Sequence, residues 1–226
     1  MKIAFFGTGE FSKNILEGIL KNSQVEVSLV VSQPDKPIGR KKIITPTAVK
    51  VLAEENKIPV LQPEKLKNNQ EFFDTLTGHN FDFIVVVAYG KIVPIEVLEA
   101  PKHGCINIHG SILPAYRGAS PIQEAVKNGD KKTGLTIMYM SEGMDEGDIL
   151  KIQEVKIGRD DTTQGVFLKF EQLGSDVLVQ TLEGVLSGEI TGKKQDENSA
   201  TYCSKIDKQD GLIDFQKTAE QNYNLH

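Results

Sequence analysis

Tryptophan is absent from the 226 residues, and cysteine occurs only at Cys105 and Cys203. Two isolated cysteines cannot build a disulfide framework, and without a CxxC pair there is no zinc ribbon or redox dithiol. They suit a reduced, cytoplasmic setting. No run of about 18 apolar residues occurs, which excludes a transmembrane helix. The opening MKIAFFGTGEF has too short an apolar stretch for a secretory signal, and no small-residue cleavage site follows it. Positive charge is also in deficit. With 26 Lys and Arg against 31 Asp and Glu, the formal charge is −5, which argues against a general nucleic-acid binder. The one concentrated basic patch near the front is Gly39-Arg40-Lys41-Lys42.

Histidine is sparse too. His79, His103, His109 and His226 lack the spacing of a metal site, so no metal is expected. Ser111 sits in HGSIL rather than GxSxG, so a nucleophile elbow is missing. The acidic group Glu142, Asp145, Glu146 and Asp148 does not follow the calcium-loop pattern and reads as a solvated hairpin turn.

What is present alternates. Apolar runs at 2–6, 25–31, 58–62, 81–88 and 105–109 read as strands. Between them lie helical stretches at 10–21, at 46–56 after Thr45 as N-cap and Pro46 at the first position, at 69–77 and after Pro94. SQPDKPIGRKKIITP reads as a loop. FDFIVVVA is apolar throughout, as expected of a strand covered on both faces. Strand–helix alternation at this scale predicts an α/β fold, a Rossmann-like, doubly wound, mostly parallel sheet. LTIMYMS and DILKIQEVKI, joined by EGMDEG, predict an antiparallel hairpin at one side. From Thr162 to Leu186 helical spacing returns, with Gly165, Gly174 and Gly184 expected to bend or divide the helix. The composition turns polar from Gly188, so residues 1–188 read as one domain and 189–226 as a linker or the start of a further region.

GTGEFS (7–12) approaches the dinucleotide fingerprint, with Ser12 in the third glycine position. The second strand ends in Ser32 and Gln33 instead of an acid, so a tight βα turn is the better reading. Asn107 and His109 are different. Two apart on one strand, their side chains share a face, and strand C-termini of a parallel sheet line the ligand crevice. The pair serves equally well to satisfy backbone groups at a strand end. If it is functional, an amide and an imidazole side by side suit acyl transfer to an amine. Such a reaction needs donors for a tetrahedral oxyanion and no Ser or Cys nucleophile. A carboxylate beside the imidazole would orient it, and Asp145 is a candidate.

CINIHGSILPAYRGASPI and TGLTIMYMSEGMDEGDIL, in this order, together with VVVAYGKIVP, resemble the signature blocks of the 10-formyltetrahydrofolate-dependent formyltransferases. Members of that family formylate glycinamide ribonucleotide, amino sugars or methionyl-tRNA. The stretch SQPDKPIGRKK followed by TPTAVKVLAEENKIPVLQP is similar to the tRNA-formylating members. The resemblance implies catalytic roles for Asn107 (holding the formyl oxygen), His109 (oxyanion and proton movement) and Asp145 (orienting His109 and positioning the folate). It implies 10-formyltetrahydrofolate as the donor, bound by Val87, Ala88, Tyr89, Gly90, Ser111, Leu113, Pro114 and Asp145. It implies initiator methionyl-tRNA as the acceptor, met by Arg40, Lys41 and Lys42, and a monomer is expected. Those tRNA-formylating members continue through a YNLIRAFNPWP-like segment into a C-terminal barrel. This chain ends at Tyr223-Asn224-Leu225-His226, so the implied reading is a catalytic domain without its barrel and with weakened tRNA binding. The competing readings are a formyltransferase for an amino sugar or other small amine, an inactive folate-binding domain, and a nucleotide-binding dehydrogenase or regulatory module using Gly7 and Gly9.

Overall fold

The computed structural model describes residues 1–225; His226 lies outside them. In chain order, β1 (Lys2–Gly7), α1 (Glu10–Leu20) and β2 (Glu26–Val31) form the first unit. A short ribbon, β3 (Lys36–Ile38) and β4 (Ile43–Thr45), precedes α2 (Ala48–Glu55), β5 (Val60–Leu61) and α3 (Gln70–Gly78). Then come β6 (Phe83–Val87), α4 (Ile95–Leu98), β7 (Cys105–His109), β8 (Arg117–Gly118) and α5 (Pro121–Lys127). The chain continues with β9 (Lys132–Tyr139), β10 (Ile149–Lys156), α6 (Thr163–Ser187), β11 (Tyr202–Cys203) and α7 (Ala219–Tyr223).

Seven strands form one sheet in the order β10-β9-β7-β6-β1-β2-β5. β5, β2, β1, β6 and β7 are parallel, while β9 runs antiparallel to β7 and β10 antiparallel to β9. The expected doubly wound sheet with a hairpin at one side is therefore observed. All five residues of β6 are buried, and each such Val, Ile or Phe contributes about 1.5–3 kcal/mol of apolar burial. One face of the sheet packs Ile3, Phe5, Val85, Ile106 and Ile108 with residues of α1, α2, α5 and α6. The other packs Ala4, Phe6, Ile84, Val86 and Cys105 with residues of α3 and α4. The chain runs outward from β1 in both directions, so the strand C-termini around β1, β6 and β7 form the topological switch where crevices open.

Three local expectations are revised. The 32–46 stretch is not a loop throughout, because Lys36–Ile38 and Ile43–Thr45 pair as an antiparallel ribbon. Thr45 is spent in that ribbon, and the cap of α2 is Thr47, whose side chain accepts the Lys50 amide at 3.3 Å. Helix α6 is one unbroken run of 25 residues. Two of its glycines serve close packing: a Cβ on Gly174 would lie 2.4 Å from Ile15 of α1, and one on Gly184 2.5 Å from Ile190. Burial against α1 repays glycine's low helix propensity, so the helix does not break.

The polar stretch after α6 folds back on the sheet end. Lys193 pairs with Ile149 of β10, and Tyr202 and Cys203 pair in parallel with Arg117 and Gly118. Among the described residues no helix is long and apolar enough to cross a membrane.

Candidate active site

Because Ile106 and Ile108 point into one core, Asn107 and His109 follow Cys105 on the opposite face, where the strand emerges from its cover. They open onto a cleft of about 760 Å³ at the C-terminal ends of β6 and β7. Its walls are mainly apolar, from Phe11, Phe167, Ile122, Ile92, Met140 and Met144. That size and lining suit a small organic molecule with a few fixed polar contacts.

The chain beyond β7 creates the polar end. His109 is 5% exposed, and its Nε2 lies 2.8 Å from the Tyr116 carbonyl oxygen. A carbonyl only accepts, so Nε2 carries the proton and donates it. In the neutral ring Nδ1 is then the free lone pair. Asp145 Oδ2 stands 3.5 Å from that Nδ1 and accepts the Gly118 amide at 2.8 Å. Asp145 has φ of 56°, in the left-handed region where a non-glycine residue is strained. The turn between β9 and β10 therefore delivers a carboxylate 36 positions along the chain to the edge of the imidazole.

Not every predicted site residue reaches the cleft. Asn107, His109, Asp145, Ala88, Tyr89 and Gly90 line it. Val87 does not. It is fully buried on the opposite face, where its carbonyl accepts the Ser12 hydroxyl, and Val86 lines the cleft instead. Ser111, Leu113 and Pro114 are also set apart from the lining. The Ser111 hydroxyl donates to the Ala115 carbonyl at 2.6 Å, and Thr136 donates to the Ser111 carbonyl while accepting the Leu113 amide. Their work is to shape the turn that brings the Tyr116 carbonyl under His109. Gly90 has φ of 77° and a Cβ there would meet Gln33 at 2.7 Å, so the turn after β6 needs glycine.

Tyr89 is almost fully buried, its hydroxyl has no partner among the described residues, and burial pushes its pKa up to about 12. The first turn is spent on this same edge. The Thr8 hydroxyl donates to the Tyr89 carbonyl at 2.9 Å, and Ser12 is fully buried against β6. Arg40, Lys41 and Lys42 form the exposed tip of the β3–β4 ribbon. At its base Lys36 donates to Gln33, which donates to the Tyr89 carbonyl at 2.8 Å. The basic tip thus springs from the rim of the cleft without lining it. Among the described residues no three His, Cys, Asp or Glu side chains group as a metal site would.

Residues 1–182 match the family model described as formyl transferase. The chain belongs to the formyl transferase family. A methionyl-tRNA formyltransferase of Caldicellulosiruptor saccharolyticus is 47% identical over 224 residues, covering 99% of this chain and 71% of that protein. A phosphoribosylglycinamide formyltransferase structure from Bacillus halodurans is 26% identical with a TM-score of 0.70, covering 84% of this chain and 97% of its own. An N-formyltransferase from Helicobacter canadensis, crystallised with folinic acid and dTDP-3-aminofucose, is 21% identical with a TM-score of 0.72. It covers all of this chain and 79% of its own, a likeness of fold.

In this formyl transferase, sequence reasoning missed Phe11 and Phe167, whose rings meet edge to face at 5.6 Å on the cleft wall. Helical spacing marks both as apolar-face residues and carries no hint that they sit at the open end of that face. It also missed the contribution of Cys203, Ser204 and Lys205, which line the cleft from beyond α6. No local pattern in KKQDENSATYCSK signals that return.

Proposed function

We propose that this chain transfers the formyl group of 10-formyltetrahydrofolate to the α-amino group of methionyl-tRNA, the step that prepares the initiator for translation in the cytoplasm. The observation that carries the chemistry is the Asn107–His109–Asp145 cluster at the mouth of an apolar cleft. The acceptor follows from relatives named methionyl-tRNA formyltransferase at 43–47% identity over 99% of the chain. The apolar walls of the cleft suit a fused ring, and backbone groups of Ala88 and Gly90 suit its polar edge.

In this reading Asn107 donates to the formyl oxygen. The neutral α-amine attacks the formyl carbon, and the oxyanion formed accepts a hydrogen bond from Asn107, with the His109 ring adding positive charge once it has taken up the amine proton. A free α-amine titrates near ~8, so modest desolvation supplies the neutral form. The Nδ1 lone pair of His109 receives the amine proton, and Asp145 then accepts a hydrogen bond from that nitrogen. The bond from the formyl carbon to the folate nitrogen breaks, that nitrogen takes up the proton His109 received from the amine, and formyl-methionyl-tRNA and tetrahydrofolate leave. Arg40, Lys41 and Lys42 contact acceptor-stem phosphates, giving local positive charge to an acidic chain.

The test supplies the chain with 10-formyltetrahydrofolate and either methionyl-tRNA or an amino-sugar nucleotide. Formyl-methionine on the tRNA is expected. Formylation of the amino sugar alone would replace the acceptor while keeping the chemistry. Untouched folate with both acceptors would refute the enzyme reading.

A further inference from the structure

Arg117 is a long cationic side chain with no solvent exposure. Its Nη1 and Nη2 each donate at 2.8 Å to the two Glu197 carboxylate oxygens. Its Nε and Nη2 donate at 3.0 and 2.8 Å to the Gln195 Oε1, and Nη1 reaches the Tyr202 hydroxyl at 3.2 Å. Paired charge of this kind is directional and short, and a planar guanidinium holds its partners in one geometry. The other end of the Gln195 amide is also fully used. Its Nε2 donates at 2.8 Å to the Asp145 carbonyl and at 2.8 Å to the Gly147 carbonyl. One side chain therefore ties a buried arginine to both sides of the strained Asp145 turn.

We propose that Gln195 is a positioning residue, clamping the backbone of the Asp145 turn so that the carboxylate stays beside His109, with Arg117 and Glu197 as its anchor. This rests on the formyl-transfer reading of the site. Gln195 lies outside both signature blocks and beyond residue 182, where the family match ends. It acts through the main chain of Asp145 and does not line the cleft itself. The need for such a clamp is physical. Asp145 holds a left-handed backbone, a conformation that persists only where its surroundings over-determine it. The Gly118 amide fixes one carboxylate oxygen and leaves the main chain free to relax.

The decisive variant is Gln195→Glu in the full chain. It keeps the oxygen that accepts from Arg117 and replaces the amide donor by an ionised oxygen facing two carbonyls. A residue that merely braces Arg117 would tolerate it. The clamp predicts a fall in kcat of about 10–100-fold, as displacements near 1 Å can cost, with KM for methionyl-tRNA within about twofold of the parent. A second readout needs no activity. The Gly118 amide, bonded to Asp145 Oδ2, should exchange its hydrogen faster, while the Val30 amide in the β2–β5 edge, bonded to the Pro59 carbonyl, should not change and so reports an intact fold. Unchanged kcat overturns the proposal, and so does unchanged exchange at Gly118. If the parent chain transfers no formyl group, the functional reading fails separately and Gly118 exchange still decides the clamp.

Discussion

Asp145 and Lys41 both sit in turns that join antiparallel strands, and the two turns are held in opposite ways. The Asp145 turn joins two eight-residue strands of the main sheet. Gln195 grips its carbonyls, Gly118 grips its carboxylate, and Gly147 packs so close to the Tyr139 carbonyl that a Cβ would lie 1.7 Å away. The Lys41 turn joins strands of three residues in a separate ribbon. Ile38, Ile43 and Ile44 of that ribbon are all more than half exposed. A two-stranded ribbon has little stability alone, and among the described residues this one is tied down only at its base. Asp35 there bonds Lys50 at 2.7 Å and Gln62 at 2.6 Å. The proposed proton relay requires atoms fixed to a fraction of an ångström. The proposed phosphate grip requires charge and reach, and gains from freedom to adjust on binding.

Breaking the fixed turn should have the largest effect. His109→Ala and Asp145→Ala are each expected to lower kcat by about 10²–10⁴-fold with unfolding curves close to the parent, measured in the same preparations. Near-parental turnover in either variant would remove that residue from the relay. Asn107→Ala belongs with them at about 10²–10³-fold, the usual effect of deleting one oxyanion donor.

The ribbon should respond differently. Replacing Arg40, Lys41 and Lys42 together by alanine is expected to raise KM for methionyl-tRNA about tenfold and leave kcat and stability nearly unchanged. The salt dependence of binding should become shallower by about one unit of slope for each phosphate that the ribbon no longer neutralises. A collapse of kcat at saturating tRNA would show the two turns to be coupled and would dissolve the contrast between them.

The smallest effect concerns the ribbon's base. Hydrogen bonds from Gln62 and Lys50 hold the Asp35 carboxyl below its ordinary pKa. A depressed folded-state value means that the anchor contributes fully above the unfolded value near ~4 and is lost as pH falls through the folded one. Amide exchange in the ribbon, corrected for intrinsic rates, should therefore rise below about pH 4, ahead of exchange in β1 and β6. Asp35→Asn should reproduce that looseness at neutral pH.

Much of this molecule is readable from nearest neighbours along the chain. Period-two and period-3.6 patterns place the parallel strands, helices α1 to α4 and α6, and the β9–β10 hairpin within a few residues of where they lie, and leave α5 and α7 unmarked. Two-residue spacing alone puts Asn107 and His109 on one face at a strand end. Residue spacing says nothing of how distant segments meet. Ser111 and Leu113 face the inner turn because Thr136 captures their backbone. Helix α6 stays whole because Ile15 fills the space beside Gly174. Cys203 lines the cleft because β11 returns to pair with β8.

The succession of strands and helices, the covered parallel sheet and the shared face of Asn107 and His109 were set by the sequence alone, since each depends on local geometry and hydrophobic period. Tertiary structure decided that Asp145 meets His109, that the buried Arg117 pairs with an exposed Glu197, and that Gln195 closes on the Asp145 turn. Those pairings join residues 36 to 80 positions apart. Directional hydrogen bonds made after the sheet has assembled select them, and no local pattern encodes which partner will arrive.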